Sequence, residues 1–327
     1  MSSIPFSVVD VFSTTAYKGN PLAVVNDLSA SLTDDQMKLI TRQFNLSETT
    51  FVNPPTVANT AFRLRSFLPD GKEVFGAGHN SLGALWWLAK HGHLNEIANG
   101  QNTFHFNQQM GNEALPVTIT RNGDELSVTL RQESPNFYGV HNNPSELAET
   151  LGIDVSLIGF EVAGRKISTP QVVSTSSSRH LLVPVANEEV LNGIRLADRE
   201  RLAKEIRVAD PLAYGLYLFT ARDDASDQGL PTFVTRFFSP GMSGEDPATG
   251  SAAGPMGAYL HRYGVVDLAD GEEKSVKVLQ GLMVGRTCLL TVTIGRGDDD
   301  ATSIKISGDG VDVISGIVAV PPSGVVF

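Results

Sequence analysis

Cysteine is almost absent: Cys288 is the single thiol among 327 residues. No intrachain disulfide can form, which fits a reducing, cytoplasmic compartment, and any mechanism that needs two thiols is excluded. Long apolar runs are missing as well. Stretches such as Ala84–Ala89 fall far short of the ~20 residues a membrane span requires. The N-terminus enters strand-like sequence (Ile4 to Phe12) with neither a basic n-region nor an apolar h-region, so a signal peptide is not expected. Positive charge is in deficit, 25 Lys and Arg against 36 Asp and Glu, a net charge of −11. Nucleic acid and anionic membrane surfaces both call for a cationic face, so neither is an expected partner. Several motifs are also lacking. There is no G-x-G-x-x-G between a strand and a helix, no G-x-x-x-x-G-K-S/T, no H-E-x-x-H and no G-x-S-x-G. Dinucleotide and nucleoside triphosphate cofactors, a zinc site and a hydrolase nucleophile elbow therefore have no support, and the expectation is no cofactor and no metal.

Hydrophobic residues make up 41% and charged residues 19%, enough apolar material for a core and too little charge for global disorder. At about 150 residues per domain the length suggests two domains, with one large domain as the competing arrangement. Alternating apolar residues around Val8–Phe12 and again at Leu22–Val25 read as two strands about a turn at Lys18–Pro21. Thr33 and Gln36 form a capping box, with Leu32 and Met37 at the staple positions, and Asn45 is a natural stop for that helix. Leu46–Val52 reads as the next strand and carries Ser47-Glu48-Thr49-Thr50. Phe62–Phe67 is another strand, followed by the turn Pro69-Asp70-Gly71. Leu82–Ala89 is apolar on nearly every side, the mark of a helix buried all round. Thr103–Phe106, Val117–Thr120 and Leu126–Leu130 are strand-like, the last two joined by the hairpin signal Asn122-Gly123.

The second half repeats this order. Arg65-Ser66-Phe67-Leu68-Pro69 lines up with Arg236-Phe237-Phe238-Ser239-Pro240, and at the same lag of about 171 residues Ala77 meets Ala248, Asn80 meets Ser251 and Gly83 meets Gly254. Chance explains single matches of this kind, but not several at one offset in one order. The lag is near half the chain, which indicates a duplicated domain. Ala252–Leu260 is the second small-residue helix, and Pro255 places its start close to Gly250-Ser251. The expected fold is α+β: two pseudo-symmetric lobes, each a barrel-like, mostly antiparallel sheet around a central helix. The first lobe would span about residues 1–131, with a C-terminal strand near 312–327 rejoining it, and the second about 132–311, with a cleft between the two helix starts.

A helix N-terminus presents unpaired N–H groups and partial positive charge, and glycine there lets a ligand approach the backbone. Gly78-His79-Asn80 and Thr249-Gly250-Ser251 sit at the two ends and would suit a carboxylate or a developing enolate. Ordinary capping by Asn80 and Ser251 explains either end taken singly; the symmetry of the pair weakens that explanation. His79 precedes the first buried helix, where the dipole disfavours a cation and suits a neutral imidazole that can accept or donate. Asp246, before Pro247, reads either as a turn residue or as a carboxylate aimed at a ligand. Glu48 reads locally as a solvated edge-strand charge; facing a cleft it would serve as general base or acid. Asp298-Asp299-Asp300 is most simply a solvated hairpin tip.

Together these pieces resemble the PhzF family, the phenazine-biosynthesis-like isomerases within the diaminopimelate-epimerase fold. The likeness lies in V-D-V-F-x6-G-N-P-L-A-V-V at Val9–Val25, N-L-S-E-T-T-F-V at Asn45–Val52, A-G-H at Ala77–His79, E-D-P-A-T-G-S-A-A-G-P at Glu245–Pro255, and L-Q-G ending at Gly281. The resemblance implies a proton shuttle at Glu48 assisted by His79 and Asp246, ligand contacts at Ser47, Gly78, Asn80, Thr249, Gly250 and Ser251, and a homodimer. Related racemases that use two cysteines have no counterpart here, since Cys288 lies far from both turns. The family commonly reads P-F-A-G-H-P where this chain has Phe75-Gly76-Ala77-Gly78-His79-Asn80, which adds a side-chain amide and removes a bulky neighbour beside His79. The expected function is a cofactor-independent isomerase of a small carboxylate-bearing substrate. The rivals are an anion-binding protein without turnover, and a cyclase or lyase that begins with the same proton abstraction.

Overall fold

The computed structural model describes residues 2–76, 78–94, 102–196, 198–222, 230–242, 244–296 and 301–327. Ala77, which opens the A-G-H motif, and the acidic run Asp298–Asp300 lie outside the described residues. The chain forms two compact units, one of Met1–Arg131 with Ser307–Phe327 and one of Gln132–Ile306. Each is mixed α+β, dominated by sheet.

In the first unit, strand Ser3–Val11 lies between Asn20–Asn26 and Gly310–Ala319, antiparallel to both, with Phe6 opposite Val25 on one side and Gly316 on the other. Asn20–Asn26 runs parallel to Thr49–Asn53, and the crossover holds helix α1, Asp34–Phe44. The capping box at its start is formed as the sequence indicates: Thr33 Oγ1 accepts from Gln36 N–H, and Gln36 Oε1 accepts from Thr33 N–H. Such a cap contributes about 1 kcal/mol. Asn45 closes the helix in the left-handed region at φ 52°. Thr49–Asn53 is antiparallel to Arg63–Phe67, which also meets Glu73–Val74 antiparallel and Thr103–Met110 parallel. The second crossover holds helix α2, His79–Lys90, buried at every residue from His79 to Ala89. Strands Thr103–Met110, Glu113–Asn122 and Glu125–Arg131 follow as a meander, the first longer at its C-terminal end and the other two longer at both ends than their apolar cores suggest.

The second unit repeats this pairing order. Gln171–Ser174 is antiparallel to Arg179–Pro184, which runs parallel to Ala213–Ala221. Ala213–Ala221 is antiparallel to Thr232–Phe238, which meets Glu245–Asp246 antiparallel and Glu273–Gln280 parallel. Its further helices are α3 (Pro144–Leu151), α4 (Glu188–Gly193), α5 (Arg199–Ala209) and the central α6 (Gly250–Arg262). An apolar core of Leu147, Val172, Leu181, Leu202, Leu216 and neighbours holds the outer helices to the sheet. The stretch Phe137–Glu161, which carries no family motif, supplies most of strand Asn136–Val140, all of α3 and the start of a short strand at Phe160.

The matched residues of the repeat occupy matched places. Arg65 pairs with Glu73 through Nε–Oε1 at 2.8 Å and Nη2–Oε2 at 2.7 Å. Arg236 pairs with Glu245 at 3.0 and 2.8 Å. Gly83 and Gly254 both lie where the central helix approaches its own sheet closely. A Cβ on Gly83 would collide with Val11 and Leu22, and one on Gly254 with Gln132 and Thr175. Pro255 is the sixth residue of α6, further in than the first turn, and removes the donor the Ser251 carbonyl would otherwise meet. Among the described residues no helix is long and apolar enough to cross a membrane.

Candidate active site

Glu48 does not lie on a strand. The strand begins at Thr49, and Glu48 lies between it and a bend at Leu46-Ser47 that follows the left-handed cap of α1. The pairing of Thr49 with Ala23 on one side and Phe67 on the other fixes where the bend delivers Glu48. The side chain is not a solvated edge charge: it is 21% exposed, and its Oε2 stands 3.2 Å from His79 Nε2. The approach is too oblique for a hydrogen bond, and Oε2 is buried with no hydrogen-bond partner among the described residues. Ser47 Oγ lies 3.4 Å from the same nitrogen. Ser47, Glu48 and His79 thus form one cluster.

His79 is the first residue of α2 rather than the residue before it, with Gly78 as the N-cap. The helix start is bound to the strand that follows Glu48. Thr50 Oγ1 donates to the Asn80 carbonyl at 3.3 Å and lies 2.8 Å from Ser66 Oγ, while Asn80 Nδ2 donates to Ser66 Oγ at 3.0 Å. Asn80 Oδ1 accepts from Gly78 N–H at 2.9 Å. The Asn80 amide, which the sequence offered as a ligand contact, is therefore engaged at both ends in holding the loop. At Gly76 a Cβ would meet nothing within 4 Å, so the missing bulk leaves open space.

In the second unit, Asp246 is 9% exposed, and its Oδ2 accepts from Thr249 Oγ1 at 2.5 Å. Thr249 is the N-cap of α6 but makes no side-chain cap bond. Its hydroxyl oxygen accepts from Gln280 Nε2 at 3.0 Å, which also donates to the Asp246 carbonyl at 2.8 Å. Gln280 Oε1 accepts from Thr249 N–H and from Thr235 Oγ1, whose oxygen in turn accepts from the Tyr217 hydroxyl. Burial first, and the charge of Asp246 in addition, push the Tyr217 phenol well above its usual value against the opposing pull of the Thr235 hydrogen bond. The phenol stays protonated and donates along the chain. Gln280 belongs to the L-Q-G string, but nothing local marked it as the brace of Asp246 and Thr249.

Ser251 does not cap α6. Its Oγ lies 3.1 Å from His180 Nε2, a residue with no signal in the sequence. His180 sits on Arg179–Pro184 opposite Gly215, brought there by strand register. Gly250 is buried at the first position of α6, and Ser251 is the one partly exposed residue from Gly250 to Leu260.

The arrangement is a mixed α+β enzyme fold in which each unit offers a glycine-marked helix start, one beside a carboxylate–imidazole pair and the other beside a buried aspartate braced by amides and hydroxyls. A model of the phenazine biosynthesis-like protein family PhzC-PhzF matches residues 9–316, and the chain belongs to that family. It is 28% identical over 307 residues to a trans-2,3-dihydro-3-hydroxyanthranilate isomerase of Pseudomonas fluorescens, covering 94% of this chain and 96% of the relative. It is 31% identical to an uncharacterized isomerase of Mesorhizobium japonicum over 97% of this chain and 99% of that one. The crystal structure of a PhzF family phenazine biosynthesis protein of Bacillus anthracis matches with a TM-score of 0.80 at 26% identity, covering 98% of this chain and all 100% of the other. The chain is an isomerase of this family.

Proposed function

We propose that the chain isomerises a small, cyclic, carboxylate-bearing substrate by general acid–base proton transfer and without a cofactor. The observation that carries this reading is the Glu48 carboxylate: one oxygen buried, unsatisfied and 3.2 Å from the His79 imidazole. A buried carboxylate oxygen without a donor costs free energy, and a catalytic role is one of the recognised reasons for retaining such a group. In the proposed reaction Glu48 takes a proton from carbon activated by an adjacent unsaturated or carboxyl group. The electron pair moves into the conjugated system, and the proton returns to a different carbon of the same molecule, so substrate and product have one composition. His79 positions Glu48 and relays the proton. Asp246 is assigned as the second acid–base group, and the helix starts at Gly78 and Gly250 to binding negative charge. Ser47, Gly78, Thr249, Gly250 and Ser251 are assigned to binding, and Asn80 to bracing the loop. The relative from Pseudomonas fluorescens makes trans-2,3-dihydro-3-hydroxyanthranilate the first compound to try. The proposal includes a homodimer, as the family resemblance implies, in the cytoplasm, as the near-absence of cysteine fits.

The test is incubation in D₂O with that compound and other cyclic carboxylic acids, read by mass spectrometry. Deuterium uptake and isomer formation are expected for the wild type. Positioned acid–base groups contribute 10²–10⁴-fold, so Glu48→Gln should slow turnover at least ~100-fold with folding intact. Turnover near that of the wild type in Glu48→Gln overturns the assignment.

A further inference from the structure

The His180–Ser251 pair has a built-in direction. His180 is 1% exposed, and Phe237 and Tyr214 pack against the ring with edge-type geometry at centroid distances of 5.1 and 6.2 Å. On the remaining side its Nδ1 faces Gly215, where a Cβ would stand 3.1 Å from that nitrogen. Among the described residues Nδ1 has no hydrogen-bond partner, and the ring's hydrogen-bonding contact is from Nε2 to Ser251 Oγ at 3.1 Å. Two neutral tautomers are available. With the proton on Nδ1, a ring N–H is buried with no acceptor, the rarer and costlier kind of orphan in native proteins. With the proton on Nε2, only a lone pair goes unmet, and Nε2–H donates to the serine oxygen. Burial also holds the ring neutral, its pKa pushed down to about 3. A hydroxyl that accepts from His180 keeps its own proton to give, and no acceptor for the Ser251 hydroxyl occurs among the described residues.

We propose that His180 donates through Nε2–H to Ser251 Oγ and thereby commits the Ser251 hydroxyl to donating its proton to the anionic group of the substrate. His180 is a positioning residue that biases the start of α6 toward donation and so favours a carboxylate over its neutral amide. The bond occupies one of the two lone pairs of Ser251 Oγ and leaves its proton to be directed at the ligand. The inference rests on the reading that this end of α6 holds the substrate's negative charge, and it adds the group that enforces the selection.

Two measurements test it. The first is the ¹⁵N spectrum of imidazole-labelled protein: the proposal requires a pyridine-like Nδ1 and a pyrrole-like Nε2 for His180, and the opposite tautomer overturns it whatever the enzyme does. The second is calorimetric titration with anthranilate and with its neutral amide, anthranilamide. Hydrogen bonds to charged groups are strong, so Ser251→Ala and His180→Leu should each weaken anthranilate binding by roughly tenfold or more. Anthranilamide binding should be nearly unchanged. His180→Gln, whose amide can reach the serine oxygen, should restore the preference, and it keeps the test sharp if the Leu variant folds poorly. In the Ser251→Ala background, a His180 substitution should have no further effect. Loss of anthranilate affinity in Ser251→Ala but not in His180→Leu overturns the inference and leaves the anion reading standing. No preference for anthranilate in the wild type, or none lost in either variant, overturns both.

Discussion

Burial holds His180 down to a pKa of about 3, far from its unperturbed 6.5, and this has a consequence for stability as well as for ligand choice. In the unfolded chain the imidazole gains its proton near pH 6.5; in the native state it does so only near pH 3. Between those values the unfolded state binds more protons, so stability is lost as pH falls through the window and is fully kept above it. Each unit of pH within the window changes the balance by about 1.4 kcal/mol. The urea midpoint of the wild type should therefore fall more steeply between about pH 7 and about pH 4.5 than that of His180→Gln, which has no such group. Equal slopes in the two proteins would contradict the neutral, buried state. This residue also shows where reading the sequence stops. His79 and Asp246 stand in or beside turns rich in glycine or proline, and Glu48 stands in the S-E-T string that carries the family resemblance. His180 reaches Ser251 only through the parallel register that sets it against Gly215, and a single chain carries no local mark of register. The sequence reading of Asn80 as a contact for ligand missed that its amide is engaged by Ser66 and Gly78, one of them on a separate strand.

The elements themselves were far more readable, because their causes are local. The capping box sets the start of α1, the left-handed Asn45 sets its end, and the all-apolar run of α2 announces a helix buried on every side. The boundary that mattered most was misread: Glu48 was expected on a strand, but the hydrogen-bonded ladder begins one residue later, and alternation of residue type does not reveal where pairing starts. The duplicated arginine–glutamate pairs give a comparison internal to the molecule. Arg236 and Glu245 are 6% and 5% exposed, and Arg236 Nη1 also donates to the Leu191 and Ile194 carbonyls. Arg65 and Glu73 are 12% and 23% exposed. Removing one partner of a buried pair leaves an uncompensated charge, at a cost of about 3–5 kcal/mol, whereas exposed pairs contribute little. Glu245→Ala should lower stability by that amount in urea denaturation, and Glu73→Ala by distinctly less. Glu245 adjoins Asp246 on the same two-residue strand, so Glu245→Ala should also reduce turnover.

Viewed along its length, the chain builds one unit from an unbroken stretch, Gln132–Ile306, and the other from two separated pieces. Strand Gly310–Ala319 covers Ser3–Val11 over nine residue pairs of register, from Ser3–Ala319 to Val11–Gly310. The tail beyond it rests on α1, where Gln36 Nε2 donates to the Pro321 carbonyl at 2.7 Å and the Arg42 guanidinium lies 4.8 Å from the Phe327 ring centroid. Deleting residues 310–327 should strip hydrogen-exchange protection from Ser3–Val11 and lower the unfolding transition of that unit, while protection in Ala213–Ala221 and Thr232–Phe238 persists. Undiminished protection of Ser3–Val11 in the truncated protein would show that the strand is held by other contacts. The same arrangement bears on how the protein is made. A ribosome releases Met1–Arg131 long before the segment that completes its sheet, so the unit begun first waits with an open strand edge until translation is nearly over. The edge that waits is Ser3–Val11, in the unit that also carries Glu48 and His79.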